Sequence, residues 1–210
     1  MKTLLVIFVL TSMLLLTGCS KKTKTIENSN KDITLTIYAH NGESESENII
    51  YSLGHAWLSI ENNKDSSLYF SNYEIKSGEA LYFGSWGSSA KWGVCYNMEP
   101  QFASKYGRYD GTISLSIGID EKQVDKLAEF ALANDHWNIF QNCSWFATSC
   151  WNYAVDDEYD LEKHLIYTPS ALAEEINEYD SAVINKKMEN FNSIFYFDKN
   201  NEMVVLELCD

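Results

Sequence analysis

Apolar and polar positions alternate at the start of the chain's first structured stretch. Ile33, Leu35, Ile37 and Ala39 hold one parity, and Thr34, Thr36 and Tyr38 the other. A period of two is that of a half-buried strand. Beyond the polar residues 43–48, Ala56, Leu58 and Ile60 alternate with His55, Trp57, Ser59 and Glu61, a second strand behind Gly54. Residues 68–75 and 80–86, rich in Tyr and Phe, read as two more strands. Residues 88–110 carry aromatic bulk without a clear period and read as a loop with a short helix, lining a cleft or covering the sheet. Ile113, Leu115 and Ile117 alternate with Ser114 and Ser116 in a further strand.

The period then changes. Val124, Leu127, Ala128, Ala131 and Leu132 recur at helical spacing behind Asp120 and Gln123, the two ends of a capping box. Residues 137–153 form a dense aromatic run in which Asn142 precedes Cys143. With Asn142 as N-cap, Cys143 is the first residue of a helix that is apolar almost all round, the pattern of a central element. Its thiol then lies at the positive end of the helix dipole, among free amides that lower a thiol pKa and can hold an oxyanion. A plain buried cysteine is the competing reading. Thr168 and Pro169 pair an N-cap with a proline at the first helical position. Residues 193–197 and 203–208 flank a turn and read as a hairpin joining the sheet. The fold class expected is α+β, an antiparallel sheet packed against a central helix that bears the cysteine.

The N-terminus has a different pattern. Lys2, an apolar run from Leu4 to Leu16 and then Thr17, Gly18 and Cys19 follow the plan of a secretory leader too short to span a membrane. Residues 16–19 resemble the bacterial lipobox, which implies cleavage after residue 18 and lipidation of Cys19. Residues 20–31 are polar and read as a flexible tether. The organisation expected is a lipoprotein signal peptide at 1–18, a tether at 19–31 and one domain at 32–210. The chain is then exported and anchored to a bacterial membrane by its lipid.

Composition removes some partners. The chain has 16 Lys+Arg against 30 Asp+Glu, a formal charge of −14. Nucleic-acid binding needs a basic surface, so it is not expected. Cys143 and Cys150 are two helical turns apart, about 10 Å by helix rise, too far for a disulfide. The pairing of Cys95, Cys150 or Cys209 stays open. No Cys or His spacing suggests a metal, and no cofactor is expected.

A cysteine nucleophile needs a base. Of the four histidines, His40 reads as a strand-end surface residue, His136 as a helix-end contact, and His164 lies in a charged loop. His55 alone sits inside an apolar strand behind a glycine. Residues 54–60, followed far downstream by 142–147, resemble the circularly permuted NlpC/P60 group of papain-like proteins, in which the His strand precedes the Cys helix. Residues 142–146 also match the Asn-Cys-x-x-Phe form of the lecithin–retinol acyltransferase branch, and Thr168-Pro169 the helix start that follows. The resemblance covers roughly residues 32–177. It implies a Cys143 nucleophile with His55 as base and later acid, and a third residue orienting the imidazole. Ser67, Tyr69 and Asn72 are candidates for that role by proximity, and none stands out.

Three functions follow. The first is an envelope cysteine amidase or peptidase acting on peptidoglycan peptides or another acyl or amide substrate. The second is a lipid acyltransferase or thioesterase. The third is a non-catalytic envelope module. A broad apolar cleft beside Cys143 favours the second over the first. A buried Cys143 with a distant His55 favours the third.

Overall fold

The computed structural model describes residues 24–26, 31–42, 54–87, 92–164, 166–188 and 193–207. The expected signal peptide, Cys19, most of the expected tether and Cys209 lie outside the described residues. The scaffold is an α+β fold on an eight-stranded antiparallel sheet. Its strands are β1 (Ile33–His40), β2 (His55–Asn62), β5 (Ala80–Gly87), β6 (Trp92–Tyr96), β7 (Ile113–Ile119), β8 (Val183–Ile184), β9 (Ile194–Phe197) and β10 (Met203–Leu206), in the order β10-β9-β6-β5-β2-β1-β7-β8. The tail hairpin therefore joins the sheet, where Phe195 pairs with Tyr96.

Two regions depart from expectation. Residues 68–75 are not one strand but a hairpin, β3 (Leu68–Phe70) and β4 (Tyr73–Ile75), that turns at Ser71 with φ 52°. Short polar Ser and Asn at such a turn tolerate what a bulky side chain would not. Residues 92–106 are not mainly loop. They form β6 and a nine-residue helix, α1 (Met98–Tyr106), closed by Gly107 in the left-handed conformation.

Three further helices match their sequence signals. α2 (Glu121–Ala133) has the Asp120–Gln123 capping box. α3 (Cys143–Ala154) is capped by Asn142, and α4 (Pro169–Ile176) by Thr168 with proline in its first turn. α3 packs across β2, β5 and β1. Strand alternation sends Ile37, Leu58 and Phe83 to this face, where they share a core with Phe146, Ala147, Cys150 and Trp151. The opposite face carries Tyr38, Trp57, Tyr82 and Tyr109, against which Phe102 and Ala103 of α1 pack. The sheet is thus covered on both sides, with the cysteine helix on one and α1 on the other.

Of the expected tether, Lys24, Thr25, Ile26 and Lys31 are described, and the first three are docked. The Lys24 amide donates to the Glu178 carbonyl (3.0 Å), its carbonyl accepts from the Asp180 amide (3.1 Å), and Ile26 enters the main core. No helix among the described residues is long and apolar enough to cross a membrane.

Candidate functional site

α3 begins where Asn142 lets it. The Asn142 side-chain oxygen accepts from the amides of Ser144 (3.0 Å) and Trp145 (3.1 Å), while its Nδ2 donates to the Tyr167 carbonyl (2.8 Å). One side chain therefore caps the helix and ties it to the segment entering α4. The Asn142 carbonyl accepts from Phe146. The Cys143 amide is left beside its own sulfur, the donor around which an oxyanion can form.

β2 begins at His55, and the structure brings this ring and the Cys143 thiol close enough for each to shift the other's pKa. The ring is buried against Trp57 (5.5 Å between centroids) and Trp86 (4.2 Å). Its Nε2–H donates to Glu99 Oε1 at 3.0 Å, which leaves Nδ1 for the sulfur. The same carboxylate oxygen accepts from Trp86 Nε1 at 3.1 Å. Glu99 comes from the first turn of α1 and is 0% exposed. His55 is therefore held between an acid from one face of the sheet and a thiol from the other.

Glycines make this approach possible. A Cβ on Gly84 of β5 would lie 2.6 Å from Glu99 Oε1 and 3.2 Å from His55 Nε2. Gly54, at φ +78°, lets the His40 carbonyl close on the start of β2, the close approach expected of a glycine there.

The electrostatics follow from the contacts. Burial pushes the Cys143 thiol pKa up, but the hydrogen bond and charge of His55 and the Ala56 amide outweigh it, and the pKa is lowered. Burial pushes the His55 pKa down, but its hydrogen bonds to Cys143 and Glu99 reverse the sign and raise it to about 9. The pair is suited to a thiolate–imidazolium form, the state in which a cysteine attacks.

Cys143 is partly exposed at a cleft of about 460 Å³, within the range of small-molecule sites. Its walls are largely apolar and aromatic, with Trp86, Tyr109, Trp137, Ile139, Ile166 and Pro169. Ile139 and Phe140 are each 73% exposed and Ile166 is 63% exposed, at the two loops that enter α3 and α4.

The remaining histidines lie apart from the pair's chemistry. His40 is not a surface residue. It is buried because β1 pairs it with His55 and its Nε2–H donates to the Asp110 carbonyl at 3.0 Å, and it lines the cleft. His136 pairs with Gln141 Oε1 at 2.8 Å, and His164 faces Glu175. The three residues expected near His55 for the orienting role are elsewhere. Ser67 donates to Glu74, Asn72 donates to the Asn201 carbonyl, and Tyr69 is exposed, all on or beside the β3–β4 hairpin. Glu99 holds the ring instead. It is the only charged residue between Lys91 and Lys105, a lone acid in an aromatic stretch, and that is the signal it left in the sequence.

Cys143 and Cys150 are free thiols. Among the described residues no group of three or more His, Cys, Asp or Glu side chains is placed to hold a metal ion. Comparison of the chain with models of known families, with curated proteins and with solved structures returns no match.

Proposed function

We propose that the protein is a cysteine hydrolase that works through an acyl-enzyme, with Cys143 as nucleophile, His55 as acid and base, and Glu99 orienting His55. One observation carries this reading. A partly exposed thiol at a helix N-terminus lies beside a histidine that a buried carboxylate holds by one ring nitrogen, at an open cleft. The thiolate attacks the carbonyl carbon of an amide or ester, and the oxyanion forms beside the Cys143 amide. His55 gives its proton to the leaving group as the tetrahedral intermediate collapses to a thioester. Water then attacks the thioester, losing a proton to His55, and the carboxylic acid leaves as the thiol is restored. The His-strand-before-Cys-helix order supports a permuted papain-like topology of the NlpC/P60 kind. We place the protein at the bacterial envelope, held by a lipid on Cys19.

The cleft favours one substrate class over the other. Its apolar walls and exposed apolar mouth suit an acyl group with an apolar body better than a polar peptide. That supports esterase, thioesterase or acyl-transfer chemistry over peptidoglycan cleavage, which remains the second reading on the strength of location. A non-catalytic module is the reading that a buried Cys143 and a distant His55 would favour; the partly exposed thiol and its coupling to His55 support the catalytic one. The test is intact-mass detection of a stable adduct after exposure to an activated acyl ester. We expect one acyl group on Cys143, with acylation reduced at least about a thousandfold in Cys143→Ala. Equal acylation of the two chains overturns the proposal.

A further inference from the structure

The turn before α3 keeps its polar side chains for itself and gives its apolar ones to solvent. The Asn138 Oδ1 accepts from the amides of Phe140 and Gln141, both at 2.9 Å, and the Asn138 Nδ2 donates to Gln141 Oε1 at 2.9 Å. The Asn138 amide donates to the Gln141 carbonyl at 3.2 Å, and His136 Nε2 pairs with Gln141 Oε1 at 2.8 Å. Between those residues, Ile139 and Phe140 are the two most exposed large apolar side chains among the described residues. The turn is also seated. Trp137 at its base lies on Gly87, where a Cβ would come within 2.6 Å of the indole. Asn142 Nδ2 donates to the Ile139 carbonyl at 3.3 Å and to the Tyr167 carbonyl at 2.8 Å, beside the exposed Ile166. Ile139 and Ile166 both line the Cys143 cleft. Three exposed apolar side chains on two braced loops therefore stand at its mouth.

Both loops lack charge. Asp, Glu, Lys and Arg make up 22% of the chain, yet none occurs at 136–155 or at 165–173. An exposed apolar patch of this kind marks a protein or a membrane site. A protein partner is registered by hydrogen bonds and a polar rim. Here the side-chain oxygens of Asn138, Gln141 and Asn142 already accept within the molecule. Lipid asks only for apolar area, without direction. Trp137 and Tyr167, which line the cleft behind the tips, are the residue types that sit at headgroup level. The chain that precedes the structure also arrives nearby. Lys24 is fastened beside Glu178, past the far end of α4, and the near end of α4 carries Pro169 of the cleft. The eight residues of α4 span about 12 Å by helix rise. Cys19 lies five residues before Lys24, an extended reach greater than that span.

We infer that Ile139, Phe140 and Ile166 form a membrane-docking surface that seats the mouth of the Cys143 cleft in a lipid bilayer. This contact is additional to the lipid on Cys19 proposed above, and the choice of a bilayer as occupant rests in part on that anchor. The cleft then opens toward the acyl chains.

Quenching by brominated lipid tests it. The full chain, processed in cells, is reconstituted in phosphatidylcholine vesicles whose acyl chains carry or lack bromine, which quenches the indoles it touches. Bromine should remove about a sixth of the wild-type emission or more, the share of one tryptophan in six. Ile139→Asp together with Phe140→Asp should cut that quenching by about fivefold or more, because a carboxylate resists transfer to hydrocarbon. Trp137→Phe should remove most of it by deleting the reporter. Ile139→Val with Phe140→Leu should keep it, and so should Ile184→Asp, a similarly exposed site on β8. Emission indifferent to bromine, full quenching in the double aspartate variant or in Trp137→Phe, or equal loss in Ile184→Asp overturns the inference. Emission that follows protein concentration and not bromination gives the surface to a second copy of the chain, and overturns it too. An alkaline carbonate wash separates the two readings. Wild-type chain stripped from the vesicles sinks the Cys19 anchor, while the quenching measured before the wash still decides the docking surface.

Discussion

Cys143 and Cys150 sit two turns apart on one helix and share no chemistry. Cys150 is 0% exposed among Phe146, Ala147 and Trp151, and burial holds its pKa well above 9.0. Cys143 has the same backbone under it, but it is the first residue, with the Asn142 cap before it and His55 opposite, and its pKa is lowered. Burial acts on both thiols in the same direction. What separates them is a partner that is stabilised by the thiolate charge, and a helix end that leaves an amide beside the sulfur. One cysteine is core and the other stands at the cleft with a lowered pKa because of where the helix starts.

The sharpest way to break the contrast is to remove the partner. His55→Ala should lower turnover by roughly 10²–10⁴-fold, the span of general acid–base catalysis. It should also let the Cys143 pKa rise, since the hydrogen bond and charge that lower it are gone. A thiolate titration by ultraviolet absorbance, followed beside turnover, checks both. An unmoved titration would show that the helix end alone activates the thiol.

Loosening the partner should have a smaller effect. Glu99 supports the raised His55 pKa, so Glu99→Gln should lower activity by about tenfold or more and move the alkaline limb of the pH–rate profile from about 9 toward the ordinary histidine value of 6.5. The sign for stability follows. A raised folded-state pKa contributes stability that is complete below the unfolded value of 6.5 and is lost as pH rises through about 9. The wild-type advantage over Glu99→Gln in a urea titration should therefore shrink between those values. An alkaline limb that stays in place would assign the shift to Cys143 alone.

The smallest effect on chemistry belongs to the other thiol. Cys150→Ala should leave iodoacetamide labelling of Cys143 within about twofold, yet cost roughly 1–2 kcal/mol of stability for the buried sulfur it removes. Labelling lost with Cys150 would mean that the two sites are not independent.

Much of this arrangement could be read from residues. The alternation at 33–39 and 56–60 located β1 and β2, and Asn142, Asp120–Gln123 and Thr168-Pro169 marked three helix starts, because each is a local pattern with a local cause. The unread parts have non-local causes. Val94, Cys95 and Tyr96 of β6 are all buried, so no polar parity marks them as a strand. The buried residues of α1 are confined to its first turn, so no apolar stripe runs its length. Glu99 stands 44 residues from His55, and only the sheet between α1 and α3 explains why those two meet. Ser67, Tyr69 and Asn72 are near His55 in the chain but fold onto or beside the β3–β4 hairpin, where Ser67 donates to Glu74 and Asn72 to Asn201. The parity of 68–75 held the correction, since Leu68 and Phe70 are buried with Ile75, which one continuous strand would place on the other face.

The docked segment at Lys24–Ile26 bears on how far a lipid on Cys19 would let the domain reach. With the acyl chain on Cys19, five residue steps separate the bilayer from the point where the chain is fastened beside Glu178, a span of at most about 18 Å when fully drawn out. The protein then moves on a short leash, not a long boom. On the proposed lipid anchor, the end of the domain near Tyr179 would stay close to the bilayer, and targets deep in the cell wall would lie beyond its radius.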